Sequence, residues 1–331
     1  MSISATRRTV LASAAAALFA TSARADDFPS HPIRMLLGFG AGGGTDLIAR
    51  LYVQKLQEVL KTPIVIENKP GASQLVAIRT MLAAQPDGYT LFMGTGSSLA
   101  QGPAVRKGLP YDPLKDFSFI GMVGTASGTY YVDPRTSIHS MADLIAYAKA
   151  NPGKLNYGSA GVGSADHLQM EYVKQAVGIN LVMVPYESDQ DVAREVMSGH
   201  LPVGLSVTQV PISLIQSGDL RAIAISGKQR LPQLPNVPTL TETGIPGLDG
   251  GGDFSFYGLV GPTGMDPAVI NKINAAINQV SAMPEIVKQM REGLVCEPVQ
   301  GTPAEFRQHV EEEIGKWRTV GKSLNVPAWT N

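Results

Sequence analysis

Cysteine is nearly missing: Cys296 is the only one among 331 residues. An internal disulfide and a cysteine-rich metal site are therefore excluded. Histidine is scarce as well, with five scattered residues and no H-x-x-x-H spacing, so metal catalysis has little support. Aromatic residues make up only 6% of the chain, and the formal charge is −1 rather than positive. That balance lacks the basic footprint that nucleic acid or an anionic lipid surface selects. Beyond the N-terminus no segment has the length and apolarity of a membrane-spanning helix.

The N-terminus itself reads as an export signal. In "MSISATRRTVLASAAAALFATSARADDFPS", Arg7 and Arg8 form a basic region and residues 10–20 an apolar stretch. Ala23-Arg24-Ala25 then supplies a small-x-small cleavage site, with cleavage expected after Ala25. The apolar run is too short for a membrane anchor. The paired arginines weakly fit a twin-arginine signal, and ordinary Sec export fits at least as well. Removing residues 1–25 takes away three arginines and no acid, which moves the formal charge from −1 to −4. A periplasmic, mildly acidic mature chain of about 300 residues follows, large enough for two lobes.

What the sequence has in abundance is glycine, proline and short β-rich runs alternating with amphipathic ones, the pattern of an α/β fold. "IRMLLGF" is apolar throughout, as expected of a strand covered on both faces. "TDLIARLYVQKLQEVLK" then places Leu47, Leu51, Leu56 and Leu60 at helical spacing. The rhythm continues through "PIVIEN", "QLVAIRTMLAAQ" and "TLFMG", restarts at "TYYVDP", and returns with "FSFYGLVGPTGM" before three C-terminal helices. Two of these carry proline just inside the start, at Pro267 and Pro303. The order predicts one lobe from residues 1–25 removed, 26–130 plus 253–331, and a second from 131–252 inserted between. Both lobes are expected to hold mainly parallel sheets, joined at a hinge, with a small ligand in the cleft.

The glycine-rich turn "LLGFGAGGGTDLIARL" is the first candidate site. Gly38, Gly40 and Gly43 match the dinucleotide fingerprint, and Glu67 ends the next strand. Asp46 argues against that reading, since it falls in the first helical turn and would repel a pyrophosphate there. A carboxylate suits the turn better. Amides from Gly42 through Gly43 and Gly44 to Thr45, with the Thr45 hydroxyl, can bind one directly or through water. Asp46 can instead accept backbone N–H bonds as a cap.

A second glycine-rich turn, "YGSAGVGSADHL", brings Ser159, Gly161, Gly163 and Ser164 to the start of another helix. Facing turns of this kind would offer donors to both ends of a dianion. Ser164, Asp166 and His167 look like catalytic letters, but neighbours within one helical turn do not face each other. No G-x-S-x-G elbow is present, and His167 reads as a cap or packing residue. Tyr186 in "VPYESDQD", Thr208 and Gln209 in "SVTQV", and Thr95, Ser97 and Ser98 in "GTGSS" complete a hydroxyl- and amide-lined cleft poor in Lys and Arg.

Many ordered motifs resemble one family. "FPSHPIRMLLGFGAGGGTDLIARLYVQKLQ", "VIENKPGAS", "PDGYTLFMG", "LPYDPLKDFSFIG", "YAKANPGKLNYGSAGVGSADHLQMEY", "LPNVPTLTETGIPG" and "YGLVGPTGM" are similar to the Bug-type solute receptors of tripartite tricarboxylate transporters. The resemblance spans essentially the whole mature chain. It implies a monomeric, two-lobed, Venus-flytrap-like periplasmic receptor that hands a small carboxylate to a membrane permease, without a cofactor. It also implies that residues 39–46, including Phe39 and Ala41, hold a ligand carboxylate with ordered waters. Residues 159–164 then close from the opposite lobe.

Three departures from the family pattern are expected near the cleft. Glu187 and Ser188 replace a Lys-Gly pair after "VPY", Pro202-Val203 stands where an acid is common, and Phe256 replaces a tryptophan. The lost positive charge and the added Glu187 point to a ligand less anionic than citrate, or one with an aromatic or polar end. Two other functions compete: a ligand sensor acting through a sensor kinase, and an exported hydrolase using Ser159 or Ser164. The hydrolase lacks a persuasive base and orienter.

Overall fold

The computed structural model describes residues 28–227, 229–249 and 254–322. The export signal and its cleavage site lie outside the described residues.

Two sheets organise the chain. The first is built from β1 (Ile33–Leu37), β2 (Ile64–Asn68), β3 (Thr90–Thr95), β4 (Phe117–Ala126), β10 (Ser255–Pro262) and β11 (Cys296–Pro298). Their spatial order is β11-β4-β10-β3-β1-β2. The second contains β5 (Gly128–Val132), β6 (Leu155–Ser159), β7 (Leu181–Pro185), β8 (Val203–Val207) and β9 (Arg221–Ser226), in the order β7-β6-β8-β5-β9. The helices are α1 (Gly44–Leu60), α2 (Leu75–Leu82), α3 (Gly102–Val105), α4 (Pro113–Asp116), α5 (Met141–Ala150) and α6 (Ala165–Val177). They continue with α7 (Asp189–Ser198), α8 (Ile212–Ser217), α9 (Pro267–Ser281), α10 (Pro284–Lys288) and α11 (Pro303–Gly321).

The fold is the expected two-lobed α/β architecture, but the sheets are mixed rather than mainly parallel. β1 runs parallel to β2 and β3, whereas β10 is antiparallel to both β3 and β4. In the second sheet β6 is parallel to β7 and β8, while β5 is antiparallel to β8 and β9. The βα units give the parallel pairs; strands that carry the chain between sheets lie against them in the opposite sense.

The apolar face of α1 also differs from the expected one. Ile48, Tyr52 and Leu56 are buried at i, i+4 spacing, together with Leu60, whereas Leu47 is 44% exposed. Leu56 and Leu60 are buried as expected, whereas in the earlier turns the stripe runs through Ile48 and Tyr52, one position after Leu47 and Leu51, following the 100° advance per residue onto the sheet.

The lobes join where β4 becomes β5. Ser127, between them, offers its carbonyl to both the N–H and the hydroxyl of Thr208, each at 3.0 Å. Gly128 N donates to Ser226 Oγ at 3.0 Å, and Phe254 N to Ala126 O at 3.0 Å. These bonds tie the outgoing and returning segments together.

The C-terminal helix α11 returns to the first sheet. Thr302 and Glu305 form a capping box at its start, with Pro303 in the first turn. Phe306 lies so close over β10 that a Cβ at Gly258 would sit 2.2 Å from its ring. Phe256 belongs to this packing too: its ring meets Phe306 and His309 edge-on, at centroid distances of 6.3 and 4.8 Å. Phe306→Ala is expected to cost about 3–5 kcal/mol by emptying this contact, measured by chemical denaturation.

Candidate ligand-binding site

A cavity of ≈ 490 Å³ opens between the lobes. That is ample for a small organic ligand. The first lobe contributes the 39–45 turn, the 72–75 segment, Thr95, Arg106 and Tyr257; the second contributes Gly163, Ser164, Asp166, Glu187 and Asp189.

The first-lobe turn works as a donor. Gly43 is the N-cap of α1 with no side chain to satisfy the amides that follow. The first intrahelical bond runs from Leu47 N to Gly43 O at 3.0 Å, so the N–H groups of Gly43, Gly44 and Thr45 precede it. Gly42 is different: its N–H donates to Asp46 Oδ2 at 2.9 Å. Asp46 is turned away from the cavity, where it also accepts from Arg50 Nε at 2.7 Å and Asn68 Nδ2 at 3.0 Å. Burial opposes its charge, yet Arg50, the Gly42 N–H and Asn68 hold the carboxyl below its ordinary range.

The second-lobe turn has the same design with the opposite result. Gly163 N donates to His167 Nδ1 at 3.0 Å, Ser164 N to Gly161 O at 3.2 Å, and Ala160 N to Asp166. Ser164 caps α6 and passes its own hydroxyl to Gly161 O at 2.6 Å. The loop thus consumes its donors internally, and Asp166, whose carboxylate holds the Ala160 N–H, is among the residues lining the cavity. Here burial wins: Asp166 is pushed up despite the Ala160 N–H that it accepts and the serine hydroxyls beside it. Asp189, at the start of α7, is pushed well above the ordinary carboxylate range by burial and then by the charge of Asp166.

Arg106 is the one cation among the cavity-lining residues. Its Nη2 donates to Ser73 Oγ at 3.1 Å, and burial lowers its pKa from the usual guanidinium value. Ser73 belongs to a left-handed run, with φ of 48° at Ala72, 51° at Ser73 and 74° at Gln74. Three consecutive non-glycine residues in that region are strained, and strain of this kind collects at ligand sites. Gln74 is 1% exposed and donates through Nε2 to Thr95 Oγ1 at 2.9 Å; its Oε1 is buried on the cavity wall with no partner.

Of the residues expected from sequence, Phe39, Ala41, Gly42, Gly43, Gly44, Thr45, Thr95, Ser97, Gly163, Ser164 and Glu187 line the cavity. The others lie off its wall, each for a local reason. Asp46 faces Arg50; Ser98 bonds Thr95 N and O at 3.0 and 3.1 Å. Ser159 spends its hydroxyl on Gly161 O at 3.0 Å, and Gly161 serves as acceptor for that loop. His167 turns its ring to the Gly163 N–H, and burial lowers its pKa. Tyr186 packs partly buried beside the Tyr131 cluster. Thr208 is taken by Ser127 and by Thr129 Oγ1 at 2.8 Å. Gln209 packs against the first lobe, its Oε1 2.5 Å from where a Gly44 Cβ would stand.

Two expected departures also fall elsewhere: Phe256 faces α11, and Pro202-Val203 begins β8 outside the cavity. Ser255 and Tyr257, on the opposite face of β10 by strand alternation, line it instead. The cleft is poor in Lys and Arg, with Arg106 its one cation; Arg106, Gln74, Asp189 and Tyr257 line it without having been expected from sequence. Among the described residues no group of three or more His, Cys, Asp or Glu is placed to hold a metal ion. None of their helices is long and apolar enough to cross a membrane.

Comparison with known proteins agrees with the geometry. The model of the tripartite tricarboxylate transporter family receptor matches residues 48–326. The chain belongs to this receptor family. Protein BugT of Bordetella pertussis is 30% identical over 307 residues, covering 92% of this chain and 93% of BugT. A solved periplasmic transporter is 34% identical with a TM-score of 0.83, covering 90% of this chain and 99% of that one. R. palustris Rpa4515, solved with adipate, is 28% identical with a TM-score of 0.85, covering 92% and 100%.

In the ligand-free receptor the raised Asp189 has a defined pH signature. An acid whose folded pKa lies above the unfolded one stabilises fully below the unfolded value, near pH 4, and loses that contribution as pH rises through the folded value. Asp189→Asn is therefore expected to raise the melting temperature at pH 7, with the gain vanishing below about pH 4 in a pH series of thermal melts.

Proposed function

We propose that this receptor binds a small carboxylate between its lobes in the periplasm and delivers it to a tripartite tricarboxylate-type permease. In this reading one lobe is formed by about residues 26–127 and 253–331 and the other by the segment between, the boundary expected at 130 moving to the Ser127 crossing because β5 pairs in the second sheet. The mature protein, cleaved near Ala25, acts as a monomer and leaves its ligand chemically unchanged. The observation that carries the reading is one wall of the cavity: Arg106 and the helix start at Gly43, Gly44 and Thr45, whose amides precede the first intrahelical bond, line the same space. A half-buried guanidinium beside a helix N-terminus stabilises a carboxylate through charge-assisted bonds. Adipate in R. palustris Rpa4515 makes it a first probe.

The serine turn supports binding over hydrolysis. Ser159 and Ser164 both hydrogen-bond to Gly161 O, and the His167 ring is engaged by a backbone N–H. That arrangement supplies no nucleophile–base pair.

Ligand-free mature protein, screened against mono-, di- and aromatic carboxylates, is expected to show a thermal shift with at least one. Stabilisation reaches about 2.7 kcal/mol at a hundredfold excess over Kd. Arg106→Gln is expected to weaken that ligand by roughly 10- to 100-fold and Thr45→Val by about 5-fold, from lost charged and neutral hydrogen bonds. Absence of any shift across the panel overturns the proposal.

A further inference from the structure

The Pro-rich segment "LPNVPTLTETGIPG", residues 234–247, lies off the cavity wall, yet the loop that carries it is tightly built. Ile225 of β9 donates its N–H to Pro238 O at 2.9 Å and accepts from Leu240 N at 2.9 Å. Arg230 donates through Nε to Glu242 Oε2 at 2.9 Å and through Nη1 to Pro235 O at 3.0 Å. Leu234 and Leu240 are buried beneath it. At its tip Gln233 reaches the other lobe, where Nε2 donates to Arg291 O at 2.5 Å, on the turn Gln289–Gly293. Its Oε1 is sealed from solvent. The receiving turn is braced as well: Met290 is buried in the first-lobe core, and Arg291 Nε pairs with Glu297 of β11 at 2.9 Å.

This contact stands behind the crossing. In the first sheet β4 and β10 join the second lobe, with β3, β1 and β2 on one side of them and β11 on the other. In the second sheet β5 has that place, with β8, β6 and β7 on one side and β9 on the other. Apart from the crossing itself, the cavity is walled by the ends of β1, β2, β3, β6, β7 and β8 and the loops that follow them. Gln233 instead follows β9, and Arg291 precedes β11.

We infer that Gln233 is a rear latch that holds the lobes near their closed setting. The inference rests on the reading that the lobes close about the Ser127 crossing. Rotation that widens the mouth on one side of a hinge drives the parts on its other side together. Loop and turn are already in contact and each is braced within its own lobe. The mouth therefore opens only when Gln233 leaves its seat and gives up its bond to Arg291 O. The lobes meet twice, with Arg106 against Gly163 in front and Gln233 against Arg291 behind. A resting receptor held near its closed setting has less ordering left to do on capture.

The test measures distances between nitroxide labels on the ligand-free, full mature receptor, by double electron–electron resonance. Val65→Cys and Val182→Cys carry the labels; both side chains are exposed, and they lie on β2 and β7, the strands farthest from the crossing on the cavity side. Cys296 is buried and takes no label. Gln233→Ala and Gln233→Met, the second keeping the length without the N–H, are each expected to raise the ratio of long to short distances about fivefold, the scale of one hydrogen bond. A ratio unchanged or lowered in either variant overturns the latch. If carboxylates of the panel still shorten the distances in such variants, the receptor reading stands without it. Distances that neither the variants nor any carboxylate moves overturn both the latch and the hinge reading on which it rests.

Discussion

A carboxylate near the start of a helix, reaching back to the amide of the loop before it, fixes both turns that face the cavity. Glycine-rich loops have many conformations to lose on folding. Asp46 on Gly42 and Asp166 on Ala160 each select one of them. The partners of the two acids then diverge. Asp46 is neutralised by Arg50 and buried away from the cavity, so the amides behind it remain the turn's contribution to the cavity. Asp166 has no arginine bonded to it in this way and stands at the cavity wall, where burial pushes its pKa up. One local device thus produces a donor wall and an acceptor wall.

That polarity depends on how the sheets are joined. The Ser127 carbonyl, doubly engaged by Thr208, locks β8 to the point where the chain passes from one sheet to the other. Gln209 follows directly and packs against Gly44 at the start of α1. The helix that presents the donor amides is therefore braced by a side chain of the opposite lobe. Residues that look like ligand contacts by their chemistry are used as joints.

Much of the architecture was legible in the sequence because apolar periodicity sets strands and helices directly. The two glycine turns were legible for the same reason, each lying between a strand and a helix. β4 was not, since Gly121 and Gly124 interrupt its β pattern; they are needed because Asn274 and Glu297 crowd the places their side chains would fill. Arg106 was hidden beside Lys107 in a segment that resembles solvated surface, and only tertiary packing brings it to Ser73. Asp189 stood unremarked in "SDQD"; Ser188 caps the helix there, and Asp189 follows as its first residue on the cavity lining. Sequence showed which groups a helix start would attract, but not which of them faced outward.

Gly163 carries a mechanical consequence. Its backbone has φ of +76°, and a Cβ there would stand 2.5 Å from Arg106 Nε on the other lobe. The bare position is thus the seat on which the jaws meet, and even one methyl would act as a wedge between them. Under the proposed function closure and capture are coupled at this contact, because the arginine assigned to the ligand's acid also fills the gap left by the missing side chain. The mouth can shut fully only around a residue with nothing to tuck away.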